Sequence, residues 1–177
     1  MKQSSKTALG GIVAALSVTI LFAMSVIPFL TYALPALAGA FIALMVIEAN
    51  KKWAFGVYVA VSILSVVIVP DKEAAVLYAS FFGYYPIIKA LCEAKLPRWL
   101  EWIIKLALFE GTMIISYYLM IKFMGVEFDE VENFGRFAVP ILLALGTAAF
   151  VMYDYALTMF ISIYLKKWHK KFRRLFK

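Results

Sequence analysis

Two carboxylates lie deep inside long apolar runs of this sequence, Glu110 and Asp154. An ionised, unpaired acid at the centre of a bilayer costs about 2.5 to 3.5 kcal/mol or more, so each needs a partner or water. Glu110 stands about 11 residues into its run and Asp154 about 12 residues before Lys166. At about 1.5 Å of rise per residue their depths are similar, and the two can face each other. Such a pair suits general acid–base work, a proton relay or the polar floor of a ligand site. The same residues suit a structural tie to Lys89, Lys105 or tyrosine hydroxyls. Both lysines stand close to the ends of their runs, where long stems let ammonium groups snorkel outward.

Other reactive groups are scarce. The patterns His-Glu-x-x-His, Gly-x-Ser-x-Gly and Gly-x-x-x-x-Gly-Lys-Ser/Thr are absent, and with them the mechanisms they serve. The single histidine, His169, lies in the basic C-terminal tail, and the single cysteine, Cys92, near the end of a run. Neither a nucleophile with its base, nor an internal disulfide, nor a cysteine metal site can be assembled from them. The expectation is a chain without catalytic residues, metal or cofactor of its own.

Tyrosines supply the remaining polar atoms. Tyr84, Tyr85, Tyr117 and Tyr153 fall well inside their runs, where each hydroxyl must find a partner, and a flat organic ligand is one such partner. With Tyr32, Glu110 and Asp154 they form the candidate substrate-binding set. Pro86 follows Gly83-Tyr84-Tyr85; it removes a backbone donor and predicts a kink or interruption there, a feature that marks binding sites in some transporters. The uncharged turn between Pro28 and Pro35 holds Phe29, Leu30, Thr31 and Tyr32, the candidate lid over a pocket.

The elements that must position these residues follow from composition. Hydrophobic residues make up 64% and charged residues 16% of the 177, far from the balance of a soluble domain. A membrane helix needs about 20 mainly apolar residues, because lipid offers its amides no hydrogen bonds. Six runs qualify, at 8–28, 32–47, 53–69, 74–91, 100–124 and 137–165, separated by Pro28 to Pro35, Glu48 to Lys52, Pro70-Asp71-Lys72-Glu73, Glu93 to Arg98, and Gly125 to Arg136. The expected fold is an all-α integral membrane protein, one six-helix domain over residues 1–177. The first run resembles a signal peptide but is about twice as long as a signal core, so retention as a helix is expected.

Orientation follows from the basic residues, which stay on the cytoplasmic side near short loops. Of 18 Lys and Arg, 15 fall on the side holding both termini and three, Lys72, Lys122 and Arg136, on the other. Both termini are therefore expected inside. The net charge of +7 is explained by this sorting and not by nucleic-acid binding. The tail, 166–177, alternates basic with aromatic and aliphatic residues, suited to lying on anionic lipid or docking on a cytoplasmic partner. Gly10 with Ala14, and Gly11 with Ala15, form small-x-x-x-small pairs that allow close helix approach, within the bundle or to another protein.

Several stretches together carry a resemblance: Lys6-Thr7-Ala8 leading to Gly11-Ile12-Val13-Ala14-Ala15-Leu16-Ser17, Leu34-Pro35-Ala36-Leu37-Ala38-Gly39, Pro70-Asp71-Lys72-Glu73-Ala74-Ala75, Phe82-Gly83-Tyr84-Tyr85-Pro86 and Tyr153-Asp154-Tyr155-Ala156-Leu157. In these the chain resembles the substrate-binding S components of energy-coupling factor (ECF) transporters. The resemblance implies a six-helix bundle in the bacterial plasma membrane that captures a vitamin-like molecule from outside. It also implies a transmembrane coupling subunit and two cytoplasmic ATPases that use ATP. The coupling subunit would meet the first helix at Gly10, Gly11, Ala14 and Ala15, where Gly11 and Ala15 replace the family's usual alanine pair. The family's loop over the ligand corresponds to Phe29 through Leu34. Two other readings fit the same residues: a non-transporting scaffold of the rod-shape-determining type, and a stand-alone proton-coupled carrier using Glu110 and Asp154.

Overall fold

The computed structural model describes residues 3–25, 30–119, 122 and 138–169, with the side chains of 117, 119, 138–140 and 142 outside the description. Helices occupy every expected apolar run: α1 Gln3–Ala23, α2 Ala33–Glu48, α3 Lys51–Ile68, α4 Lys72–Leu77, a π-helical turn Tyr78–Phe82, α5 Tyr85–Lys95, α6 Arg98–Leu119 and α7 Ala138–Lys167. No strand occurs among the described residues.

The boundaries have local causes. Asn50 caps α3, its side chain accepting from the Trp53 amide at 3.0 Å. Asp71 caps α4 by accepting from the amides of Glu73 and Ala74, satisfying donors that have no partner within the helix. These caps start α3 and α4 two residues before the expected spans. The first helix begins at Gln3 instead of Ala8, and the last runs on to Lys167.

Four stretches are long and apolar enough to cross a membrane: Gln3–Ala23, Lys51–Ile68, Lys72–Lys95 taken through its interruption, and Leu143–Lys167. Helix α2 is shorter, at 16 residues, and α6 carries Arg98, Glu101, Lys105 and Glu110. Apolar side chains cover the outside as well as the inside. Val67 and Met152 are each 74% exposed, and Ile12, Leu16, Phe55, Ile63, Ile115 and Leu145 also face outward. Water does not tolerate such a continuous apolar surface, whereas lipid requires it.

Helix α2 is the hub. It packs against α1, α3, α4, the π-turn, α5 and α7, and buries Ala38, Ile42, Ala43 and Met45 among Val13, Leu21, Val57, Val61 and Phe81. Small residues make this crowding feasible. At Gly39 an added Cβ would collide with the Phe82 carbonyl and lie 3.2 Å from the Tyr153 hydroxyl oxygen, so only glycine lets α2 meet the π-turn backbone.

The fourth run breaks earlier than Pro86 alone predicts. The Gly83 amide bonds back five residues to the Tyr78 carbonyl at 2.8 Å, which closes the π-turn. Pro86 then sits in the first turn of α5, where its missing N–H costs nothing. The proline starts a new helix instead of kinking a continuous one.

The small-x-x-x-small pairs divide between two faces. Gly10 is buried, with space for a Cβ only 3.1 Å from Val57, and Ala14 packs against the core. Gly11 and Ala15 are exposed, and nothing lies within 4 Å of a Cβ at Gly11. Gly10 and Ala14 are thus packing residues of the bundle, which corrects their assignment to an external contact.

Candidate functional site

Asp154 lies on α7 and is 5% exposed. Its Oδ1 accepts from Lys89 Nζ of α5 at 2.6 Å, from Lys105 Nζ of α6 at 3.2 Å, and from the Tyr85 hydroxyl. Lys89 also pairs with Glu93 at 2.6 Å, one turn along α5. Lys105 reaches Glu93 at 3.1 Å and pairs with Glu101, one turn back on α6. Two ammonium groups and three carboxylates therefore share one cluster that joins α5, α6 and α7. Its inner members are hidden, Lys89 at 1% and Lys105 at 0%, whereas the Glu93 side chain is 41% exposed. With every charge bonded to an opposite one, the cluster avoids the cost of an isolated ion in an apolar surrounding.

This geometry corrects two expectations. Lys89 and Lys105 turn inward to Asp154 and do not snorkel. Glu110 and Asp154 do not meet: Glu110 accepts from the Thr147 hydroxyl at 2.6 Å, and Thr147 stands seven residues before Asp154 on α7, about 10 Å along the axis. The two acids form no dyad. Of the roles open to Asp154, the tie to Lys89, Lys105 and a tyrosine is the one its bonds describe.

Above the cluster the interior is filled with rings. Phe81 of the π-turn contacts Tyr85, Phe109 and Phe150 at centroid distances of 4.9, 5.3 and 5.7 Å, and Phe109 stacks on Phe150 at 4.8 Å. Tyr153 packs against Phe82 at 5.1 Å and Tyr85 at 5.6 Å. Two hydroxyls in this region, those of Tyr78 and Tyr153, are buried and have no hydrogen-bond partner among the described residues. A buried hydroxyl left without a partner costs about 1 to 3 kcal/mol, and such atoms mark places where water or a ligand belongs. Tyr78 opens the π-turn and Tyr153 packs on its last residue, Phe82, and such a distortion is frequent at functional sites.

Comparison with protein families, with curated proteins and with solved structures found no match. The site therefore stands on its own geometry.

The expected substrate-binding residues separate into three places. Tyr85, Asp154 and Tyr153 are neighbours at the cluster and the ring core. Tyr84 turns away, sharing a 2.8 Å hydrogen bond with Thr112, and lines an open hollow between α3 and α5. Tyr32 is 63% exposed just before α2, and Glu110 belongs with Thr147. One pocket enclosing the whole set is not formed. In the candidate lid, Leu30, Thr31 and Tyr32 form the turn leading to α2, while Phe29 and the Tyr117 side chain lie outside the described residues.

Sequence reasoning missed three residues. Tyr78 was not singled out. Glu93 was read as part of a break and Glu101 was not singled out, although Lys89 with Glu93 and Glu101 with Lys105 show the four-residue spacing of helical ion pairs. Glu48 is also unexpected: it accepts from the Tyr164 hydroxyl at 2.9 Å and lies 2.7 Å from His169 Nδ1. The start of the tail is thereby fastened to the end of α2, while 170–177 lie outside the described residues. Among the described residues no three His, Cys, Asp or Glu are grouped to hold a metal ion.

Proposed function

We propose that this chain is the substrate-binding membrane subunit of an ECF-type importer, a six-span protein of the bacterial plasma membrane with both termini inside. The observation that carries this reading is the pair of unpartnered hydroxyls, Tyr78 and Tyr153, buried beside a broken transmembrane helix. Interrupted helices place free polar groups inside a membrane protein where a substrate is held. A flat organic molecule with hydrogen-bonding edges satisfies the hydroxyls and stacks on the surrounding rings. The turn ending at Tyr32 closes above it. The ionic cluster fixes α5, α6 and α7 below it, so the subunit moves as one body. The exposed Gly11 and Ala15 face is the contact for the coupling subunit, and ATP is consumed by the two partner ATPases. Catalysis is no part of this role.

A second reading, a scaffold that moves nothing, draws on the density of the interior, where rings occupy the space a large substrate needs. Native mass spectrometry of the protein gently extracted from its own membrane separates the two. The transport reading expects a retained small organic molecule, together with a transmembrane subunit and ATPases. A chain that carries no small molecule and copurifies with wall-synthesis proteins contradicts it.

A further inference from the structure

Helices α3 and α5 run antiparallel, as the Lys51 ammonium on the Ala90 carbonyl at 3.2 Å and the Tyr58 hydroxyl on the Ala79 carbonyl at 2.7 Å show. Between them lies an open groove of about 530 Å³ walled by Phe55, Val59, Ile87, Ile88 and Leu91. Its far end is formed by the rings of Tyr58 and Tyr84, 5.9 Å apart. Both hydroxyls are engaged elsewhere, on Ala79 and Thr112, so the groove presents apolar surface along its depth. A polar solute gains nothing there, whereas a hydrocarbon chain does.

The other end is cationic. Lys52 lies one and two turns from Phe55 and Val59 on the same face of α3, and Lys95 holds the same relation to Leu91 and Ile88 on α5. Both lysines are exposed and have no ion pair among the described residues. A second hollow, of about 400 Å³, is lined there by Val46, Asn50, Lys51 and Lys52. Lys51 links the two, since it lines the hollow while its ammonium bonds the carbonyl of Ala90, the residue before Leu91. Apolar groove, unpaired lysines and adjoining hollow follow one another along a helix that is long and apolar enough to cross a membrane.

We infer that this surface is a specific site for one anionic phospholipid, an acyl chain lying in the α3–α5 groove and the phosphate held by Lys52, Lys95 and Lys51. The charge complementarity selects an anionic head group, and the depth of the groove selects a molecule already in the bilayer. This site stands apart from the interior tyrosines and holds whether or not the chain serves a transporter.

The test uses the full chain in nanodiscs of phosphatidylcholine with a minor fraction of phosphatidylglycerol. Native mass spectrometry on release reads the lipid retained, and a phosphatidylglycerol with a photoactivatable acyl chain reads its place. The expected result is one phosphatidylglycerol retained in preference to phosphatidylcholine, with labelling concentrated on 55–59 and 87–91. The Lys52→Ala/Lys95→Ala double variant lowers that preference about thirtyfold, each lysine near an anionic surface contributing about fivefold. Lys72→Ala/Lys122→Ala, two exposed lysines away from the groove, leaves it unchanged. Val59→Trp fills the groove and removes the label without changing charge. Equal retention of both lipids, the same loss from either lysine pair, or label spread evenly over all helices overturns the proposal. The wild-type labelling pattern decides even if a variant fails to fold.

Discussion

Asp154 is held by three donors from two other helices, and its removal takes away the innermost carboxylate of the cluster and leaves Lys89 and Lys105 to Glu93 and Glu101. Asp154→Asn is expected to cost about 3 kcal/mol, because the charge-assisted bonds it makes to two buried ammonium groups are weakened together. Tyr85→Phe removes one hydrogen bond to the same oxygen and is expected to cost about 1 to 2 kcal/mol. Unfolding of the purified protein in a fixed detergent compares them; equal costs would show that the cluster is not isolated from water. The importance of Asp154 was legible in the sequence, since an acid inside an apolar run demands partners, and Lys89, Lys105 and the tyrosines were among those named. Its separation from Glu110 was not, because similar depth says nothing about which way two side chains point around their helices. Of the orphaned hydroxyls, that of Tyr153 was among those expected to need a partner, whereas that of Tyr78 was not, because which hydroxyls stay unpartnered depends on how rings pack.

At the scale of the element, the telling feature is the interruption between α4 and α5. The Gly83 amide takes the Tyr78 carbonyl five residues back, and Gly39 of α2 presses on the Phe82 carbonyl. The break is thus set by the turn and its neighbour, with Pro86 merely placed at the next helix start. Pro86→Ala is expected to leave the break in place and change stability by less than about 1 kcal/mol, since proline is tolerated in a first helical turn. Hydrogen exchange reads this directly: amides of 78–83 continue to exchange faster than those of α3. Protection spreading through 78–83 in the variant would return the break to the proline. The helices themselves were legible, each apolar run overlapping a helix and the fourth divided between α4, the π-turn and α5. Their starts were less so, because the expected boundaries followed hydrophobicity, whereas Asn50 and Asp71 begin their helices by capping polar first turns.

Among the described residues, an apolar outside around an apolar inside, with charge gathered in one bonded cluster, at the helix ends and at Glu110 beside Thr147, is the arrangement a bilayer imposes. Four helices have the length and composition to cross it unaided; α2 is short and α6 charged, and both are proposed as spans because the basic residues sort 15 to 3 if all six cross. The proposed substrate site, coupling face on α1 and phospholipid site beside Lys52 would all take their sides from that topology. The direct measurement is single-cysteine labelling in intact cells on a Cys92→Ala background, with cysteines placed one at a time at Ser4, Asp129 and Lys177. A membrane-impermeant maleimide should label position 129 and spare 4 and 177 until the cells are opened. Labelling of 4 or 177 in intact cells, with 129 protected, contradicts the account.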